Sequence, residues 1–236
     1  MIFRGQSLSD DDLIRFSSHF GECEKAPIGD SVLEQDIPPE ITVVSNVMED
    51  GKPIGFLGTG ELTWHTDMSY IEVPPTFSLL HSRVIPEEGG DTSFCSQVMA
   101  AKALPVDLRE KVRKLSAKHD STYGSSGQIR PGMTPPASPV EALGQVHPIL
   151  RKVPTTGEEA IYLGRRTNGY IIGLPLEESE ALLDELWAHS TKPEFCYRHK
   201  WREGQVIAWD NRMLLHMRYP SGRDVRSFHV AHTDEG

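Results

Sequence analysis

Two stretches far apart in the chain carry the kinds of side chain that can share one metal ion, and a fold that serves both must bring them together. Trp64-His65-Thr66-Asp67 sets an imidazole and a carboxylate two residues apart. On a β-strand, residues i and i+2 point to the same face, so both could reach one ion. The surrounding run Glu61 to Tyr70 is rich in Thr, Trp and Tyr, which predicts a strand. The second stretch is Trp209-Asp210-Asn211-Arg212-Met213-Leu214-Leu215-His216, with Arg226 ten residues beyond it. Two histidines and one carboxylate make a facial triad, which holds iron(II) and leaves three coordination positions open. His65 and Asp67 alone fit an ordinary hydrogen-bonded pair better than a metal site; the distant His216 is what favours a metal.

The chain has 236 residues, a length that suits one domain spanning 1–236 with a large core. A formal charge of −10 argues against a nucleic-acid partner, which needs a basic patch for phosphates. Cys23, Cys95 and Cys196 are the only cysteines and show no CxxC spacing, so neither a disulfide framework nor a zinc ribbon is expected. That fits a reducing cytoplasm. The start has no apolar signal core, and no apolar run approaches the roughly 20 residues that span a bilayer, so no membrane partner is expected.

In order, Ile2 and Phe3 read as the end of a strand. Ser9 is an N-cap with Asp12 at N3, and Leu13, Phe16 and Phe20 follow at helical spacing until Gly21. Ile41-Thr42-Val43-Val44 is a strand before a turn at Asp50-Gly51. Gly55, Gly58 and Gly60 form a loop rather than a phosphate cradle, since no Lys-Ser/Thr follows. Thr76 to Ile85 returns as a strand whose His81 is a structural histidine. Gly89-Gly90-Asp91-Thr92 is a tight turn, and its Thr hydroxyl has a pocket or plain hairpin as alternative settings. Helices are expected at 96–103 and 105–117. The Pro-, Gly- and Ser-rich segment 121–145 reads as a long loop and a lid.

Beyond it, Ala160-Ile161-Tyr162-Leu163 and Tyr170-Ile171-Ile172 look like paired strands, with Arg165 and Arg166 between them and one arginine inward. A helix runs from Pro175 to about His189. Strands at 194–200, 205–209 and 225–232 close the chain.

With these residues in place the sequence resembles the taurine dioxygenase and 2,4-dichlorophenoxyacetate dioxygenase family of iron(II)- and 2-oxoglutarate-dependent oxygenases. The resemblance rests on Trp64-His65-Thr66-Asp67, Gly89-Gly90-Asp91-Thr92, His147-Pro148, Trp209-Asp210-Asn211-Arg212 with His216, and Arg226-x-x-His229, in family order. It implies a mainly β fold, a double-stranded β-helix (jelly roll) with flanking helices. It implies that His65, Asp67 and His216 bind Fe(II), while Thr92 and Arg226 hold the distal carboxylate of the cosubstrate 2-oxoglutarate. A forked guanidinium grips a carboxylate in a way that lysine cannot copy. The reaction implied is hydroxylation of a small organic molecule with O2, releasing succinate and carbon dioxide. Asp67 argues for hydroxylation over halogenation, because family halogenases lack this carboxylate.

Two departures bear on this. Family members carry a longer segment ahead of the strand at Ile2, which would leave a sheet edge uncovered here. Val230 stands where the taurine enzyme has its sulfonate arginine, and Glu61 where it has an asparagine, so taurine is a poor candidate. Tyr70, Arg165 and Arg166 are the substrate residues expected instead, with Arg218 a further candidate. Two other readings remain at this point: a truncated, non-catalytic metabolite-binding relative, and a zinc hydrolase or isomerase, against which Thr92 and Arg226 argue. A homo-oligomer is a further expectation.

Overall fold

The computed structural model describes residues 1–25, 37–57, 63–124, 127–220 and 226–234. The chain opens with β1 (Ile2–Phe3) and α1 (Asp10–Ser17), then β2 (Glu22–Cys23), β3 (Ile41–Ser45), β4 (Met48–Glu49), β5 (Lys52–Pro53) and β6 (Phe56–Leu57). The middle holds β7 (Phe77–Val84), β8 (Thr92–Ser96), α2 (Gln97–Lys102), α3 (Val106–Val112), β9 (Ser116–Asp120), β10 (Gly144–Pro148), β11 (Leu150–Lys152), β12 (Glu159–Ile161) and β13 (Tyr170–Ile171). The last part comprises α4 (Leu176–Ser190), β14 (Cys196–His199), β15 (Val206–Asp210), β16 (Leu214–Arg218) and β17 (Ser227–Asp234).

A seven-stranded sheet carries the fold, in the order β1-β15-β7-β17-β3-β6 with β2 paired to β17. Alternation along each strand divides its residues between two covered faces. On one face Val43, Leu79, Val206, Ala208 and Ala231 pack beneath α1, joined by Phe16 and Phe20. That helix starts where Ser9 accepts from the Asp12 amide while the Asp12 carboxylate accepts from the Ser9 amide, a reciprocal cap worth about 1 kcal/mol. The other face looks towards a three-stranded sheet ordered β14-β8-β16. Phe94 of β8 meets Trp209 of β15 across the gap, with ring centroids 5.4 Å apart. A larger apolar cluster lies behind the smaller sheet, where Leu182, Leu183 and Leu186 of α4 pack on Ala100, Ile149 and Leu215. Among the described residues, no helix is long and apolar enough to cross a membrane.

Several expectations need correction. Described residues 63–70 around His65 are not a strand: His65 forms isolated bridges to Arg165 and His216, and the chain turns at Asp67, with Met68 at φ 45°. The second expected helix stops at Val112, and Ser116–Asp120 goes into β9. Ala160–Leu163 and Tyr170–Ile172 do not pair with each other: β12 pairs with β11, and β13 with β9. The strand β16, which carries His216, was not expected at all. The helix from Ser9 ends at Ser17, short of Phe20 and Gly21. Gly58, Gly60, Glu61, Ser125 and Ser126 lie outside the described residues.

Candidate active site

The two faces of the β-layers enclose a cavity of about 410 Å³, and the sheet register determines what lines it. Arg226, at the entry to β17, and then Phe228, Val230 and His232 are spaced by two and all reach the cavity. Thr42 and Val44 of β3 do the same, while Ile41 and Val43 face α1's side. From the smaller sheet come Thr92 of β8 and both His216 and Arg218 of β16.

His65 and His216 are locked by reciprocal backbone hydrogen bonds. Each amide donates to the other's carbonyl, at 2.9 and 2.8 Å. Their rings stand 4.1 Å apart between centroids. The Thr66 hydroxyl donates to Leu214 O, and the Thr66 amide to Gly164 O, so the loop bearing Asp67 is stitched to β16 on one side and to the Gly164-Arg165 segment on the other. His65 Nδ1 lies 3.0 Å from Thr63 O. A carbonyl only accepts, so Nδ1 carries a proton, and the ring is fixed with Nε2 turned towards Asp67, the ring orientation of a metal-binding imidazole.

His65 Nε2 and His216 Nε2 both aim at Asp67 Oδ1, at 3.6 and 3.5 Å. Ligand atoms from the three residues lie within 4.8 Å of one another. Those spacings are long for hydrogen bonds. They approach the roughly 3 Å edge between neighbouring donors that each sit about 2.1 Å from one ion. Burial alone would raise the Asp67 carboxyl, but His216, His232 and His65 outweigh it and hold it well below the usual carboxylate range. The donor set is thus two imidazoles and an ionised carboxylate, which fits a divalent first-row metal with open positions.

Arg226 is almost wholly buried at 1% exposure. Its backbone is clamped: Asn46 Oδ1 accepts from the Arg226 amide at 2.8 Å, and the Ser45 hydroxyl donates to the Arg226 carbonyl at 2.9 Å. Thr92 Oγ1 accepts from the Trp201 indole N–H at 2.9 Å. An indole only donates, so the threonine's own proton is not spent on Trp201. Arg218 stands directly across from Thr92 in the ladder of β16 and β8, which puts this arginine at the Thr92 end of the cavity.

The arginine pair divides. Arg165 is buried, lines the cavity, and donates from Nη1 to Tyr123 O at 3.2 Å. Arg166, expected beside a substrate, turns outward and pairs with Glu180 and Asp184 of α4; it does not line the cavity. Tyr70 lines it, and Arg130 from the expected lid lies over the Tyr70 ring at 4.1 Å while donating to its hydroxyl at 2.7 Å. That lid segment is not wholly irregular: Tyr123 bridges to Ile129, and β10 begins at Gly144. His147 Nε2 donates to Ser69 O at 2.9 Å, tying the far side of the Asp67 loop. The sequence reading missed His232 and Arg130, which also line the cavity. Of these only His232 had a signal, its even spacing from Arg226 on one strand face.

Comparison with known proteins adds a second line of observation. The family model described as "Taurine catabolism dioxygenase TauD, TfdA family" matches residues 1–232. The alpha-ketoglutarate-dependent 2,4-dichlorophenoxyacetate dioxygenase of Cupriavidus pinatubonensis is 34% identical over 230 residues, covering 92% of this chain and 77% of that protein. The alpha-ketoglutarate-dependent sulfate ester dioxygenase of Pseudomonas putida is 32% identical over 229 residues, covering 92% and 70%. A solved taurine dioxygenase from Burkholderia xenovorans matches with a TM-score of 0.77 at 32% identity, over 100% of this chain and 75% of that one. The structure of AAD-2 in complex with Mn(II) and N-oxalylglycine matches with a TM-score of 0.83 at 27% identity, over 100% and 84%.

Proposed function

Because the chain belongs to the TauD, TfdA family of dioxygenases, we propose that His65, Asp67 and His216 hold its iron and that Arg226 and Thr92 hold its 2-oxoglutarate. The protein is a 2-oxoglutarate-dependent dioxygenase acting on a small organic substrate, with Fe(II), 2-oxoglutarate and O2 as its cofactors and cosubstrates. The observation that carries the residue assignment is the convergence of the three ligand side chains in one cavity with a buried arginine and a threonine hydroxyl. We read the two facing sheets as a jelly roll within a single domain 1–236, and the segment 121–145 as its lid.

Iron, when bound, would supply the oxidative chemistry with O2: one oxygen atom goes into succinate as 2-oxoglutarate loses carbon dioxide, and the other enters a substrate C–H bond to give C–OH. The protein's own residues hold, aim and dry the site. His65 and His216 present Nε2 lone pairs, and Asp67 contributes Oδ1. The Arg226 guanidinium pairs with the distal carboxylate of 2-oxoglutarate by a charge-assisted fork, and the Thr92 hydroxyl donates beside it. Arg218, across the ladder from Thr92, adds a further guanidinium to the cavity lining. N-oxalylglycine, found with AAD-2, is a dicarboxylate of the same length as 2-oxoglutarate, which supports this reading.

The rest of the cavity lining is left for the substrate. Val230, Phe228 and Ile129 offer apolar surface, and Arg165, Arg130 and Tyr70 offer cationic or hydroxyl groups. A small acid with an apolar body satisfies both. Val230 brings no charge to a sulfonate, so taurine is a poor substrate. The test is succinate release across a panel of phenoxyacetates, alkyl sulfates and taurine. Phenoxyacetates or alkyl sulfates above taurine are expected, and taurine above all the others would overturn the substrate reading.

A further inference from the structure

We infer that Ser78, itself held by Asn211, is a positioning residue that keeps Asp67 a one-oxygen ligand and so preserves the third open coordination position on the iron. The inference rests on the reading of Asp67 as an iron ligand. Ser78 sits on β7, directly across from Trp209 in β15 and from His232 in β17. It is fully buried, and its hydroxyl donates to Asp67 Oδ2 at 2.7 Å. Asn211 Nδ2 donates to Ser78 Oγ at 2.8 Å, and the Trp209 indole donates to Asn211 Oδ1 at 3.0 Å.

The direction of this relay is fixed from its far end. The indole N–H has no lone pair to offer, so the amide of Asn211 must turn its oxygen to Trp209 and its NH2 to Ser78. Ser78 therefore accepts from Asn211, and its own proton goes to Asp67. His232 Nε2 flanks the same carboxylate oxygen at 3.6 Å. The two oxygens of Asp67 thus serve different partners: Oδ2 faces Ser78 and His232, while Oδ1 faces the His65 and His216 imidazoles.

The consequence is a matter of counting positions. A six-coordinate ion held by two imidazoles and one carboxylate oxygen keeps three positions, two for the chelating keto acid and one for oxygen. A carboxylate bound through both oxygens takes one more, and the chelate would then leave none. Removing the Ser78 hydroxyl frees Oδ2 to turn towards the metal and strips the Asn211 amide of its acceptor. Partners of metal ligands typically alter affinity or activity by 10- to 100-fold when lost.

The experiment compares wild type, Ser78→Ala and Ser78→Thr under anaerobic conditions with iron(II) and 2-oxoglutarate, following the visible metal-to-ligand charge-transfer band and then its decay on mixing with oxygenated buffer. Formation of the band in each variant shows that fold, ligands and chelate survive. The expected result is a band in Ser78→Ala that decays about 10-fold more slowly or worse, with most of the rate restored in Ser78→Thr, which keeps the hydroxyl. Decay of Ser78→Ala at the wild-type rate, or equal slowing in both variants, would overturn the inference. Absence of the band in the wild type would instead overturn the iron reading, and this inference with it.

Discussion

His65 spends its Nδ1 proton on the Thr63 carbonyl and turns Nε2 towards Asp67, so on the proposed assignment its replacement removes a ligand. His65→Ala, Asp67→Ala and His216→Ala are each expected to lose iron(II) affinity and succinate release while keeping a cooperative thermal transition. Near wild-type turnover in any iron-loaded variant would remove that residue from the triad. At Arg226, substitution by Lys exchanges a fork for a point charge, and the KM for 2-oxoglutarate is expected to rise about 10-fold, a loss of roughly 1.4 kcal/mol. An unchanged KM would contradict the anchor. The two adjacent arginines give a paired test. Arg165→Ala weakens turnover of acidic substrates, whereas Arg166→Ala, whose ion pairs with Glu180 and Asp184 are half exposed, costs less than about 1 kcal/mol of stability and leaves substrate preference alone. Sequence could not tell Arg165 from Arg166, because adjacent residues point opposite ways and only the local bridge to His65 decides which one faces inward.

At the scale of elements, the reading found strands where composition and punctuation agree, as at Ile41–Ser45 and Phe77–Val84, and failed where pairing is non-local. The strand β16 was missed because covered faces on both sides blur the alternation of Leu214-Leu215-His216. The Thr, Trp and Tyr content of the His65 segment suits a strand. What holds it is a crossing of three backbones, in which His65 bridges to both His216 and Arg165. Gly164 occupies that crossing at φ +65°, and a Cβ there would collide with the His119 ring and the Ser69 hydroxyl. Gly157, at φ +71°, has open space around it. Gly164→Ala is therefore expected to destabilise by about 2–3 kcal/mol, and Gly157→Ala by about 1 kcal/mol from backbone strain alone. Equal losses in denaturant titrations of the two variants would show that the close approach at Gly164 is unimportant.

For the molecule as a whole, buried histidines tie stability to pH. Burial lowers His81, His119, His147, His199 and His229, and pushes His119 down to about 3. A histidine kept neutral in the fold takes up its proton on unfolding, so stability is full above the unfolded value near 6.5 and falls as the pH drops below it. His119 alone is expected to make the protein about 2 kcal/mol less stable at pH 5 than at pH 8. His119→Leu should flatten the dependence by that amount, and an unchanged slope would show that His119 is not buried neutral.

The broad architecture and the proposed site meet in one assembly, in which the three proposed ligands and the proposed carboxylate anchors Arg226 and Thr92, from four chain segments, share a cavity. Anaerobic titration of the wild-type protein with iron(II) and 2-oxoglutarate tests that assembly most directly. A charge-transfer band is expected only when both are present, saturating at one of each per chain, and it should vanish in His216→Ala. A protein that shows no band, or one whose band survives the loss of His216, would contradict the account.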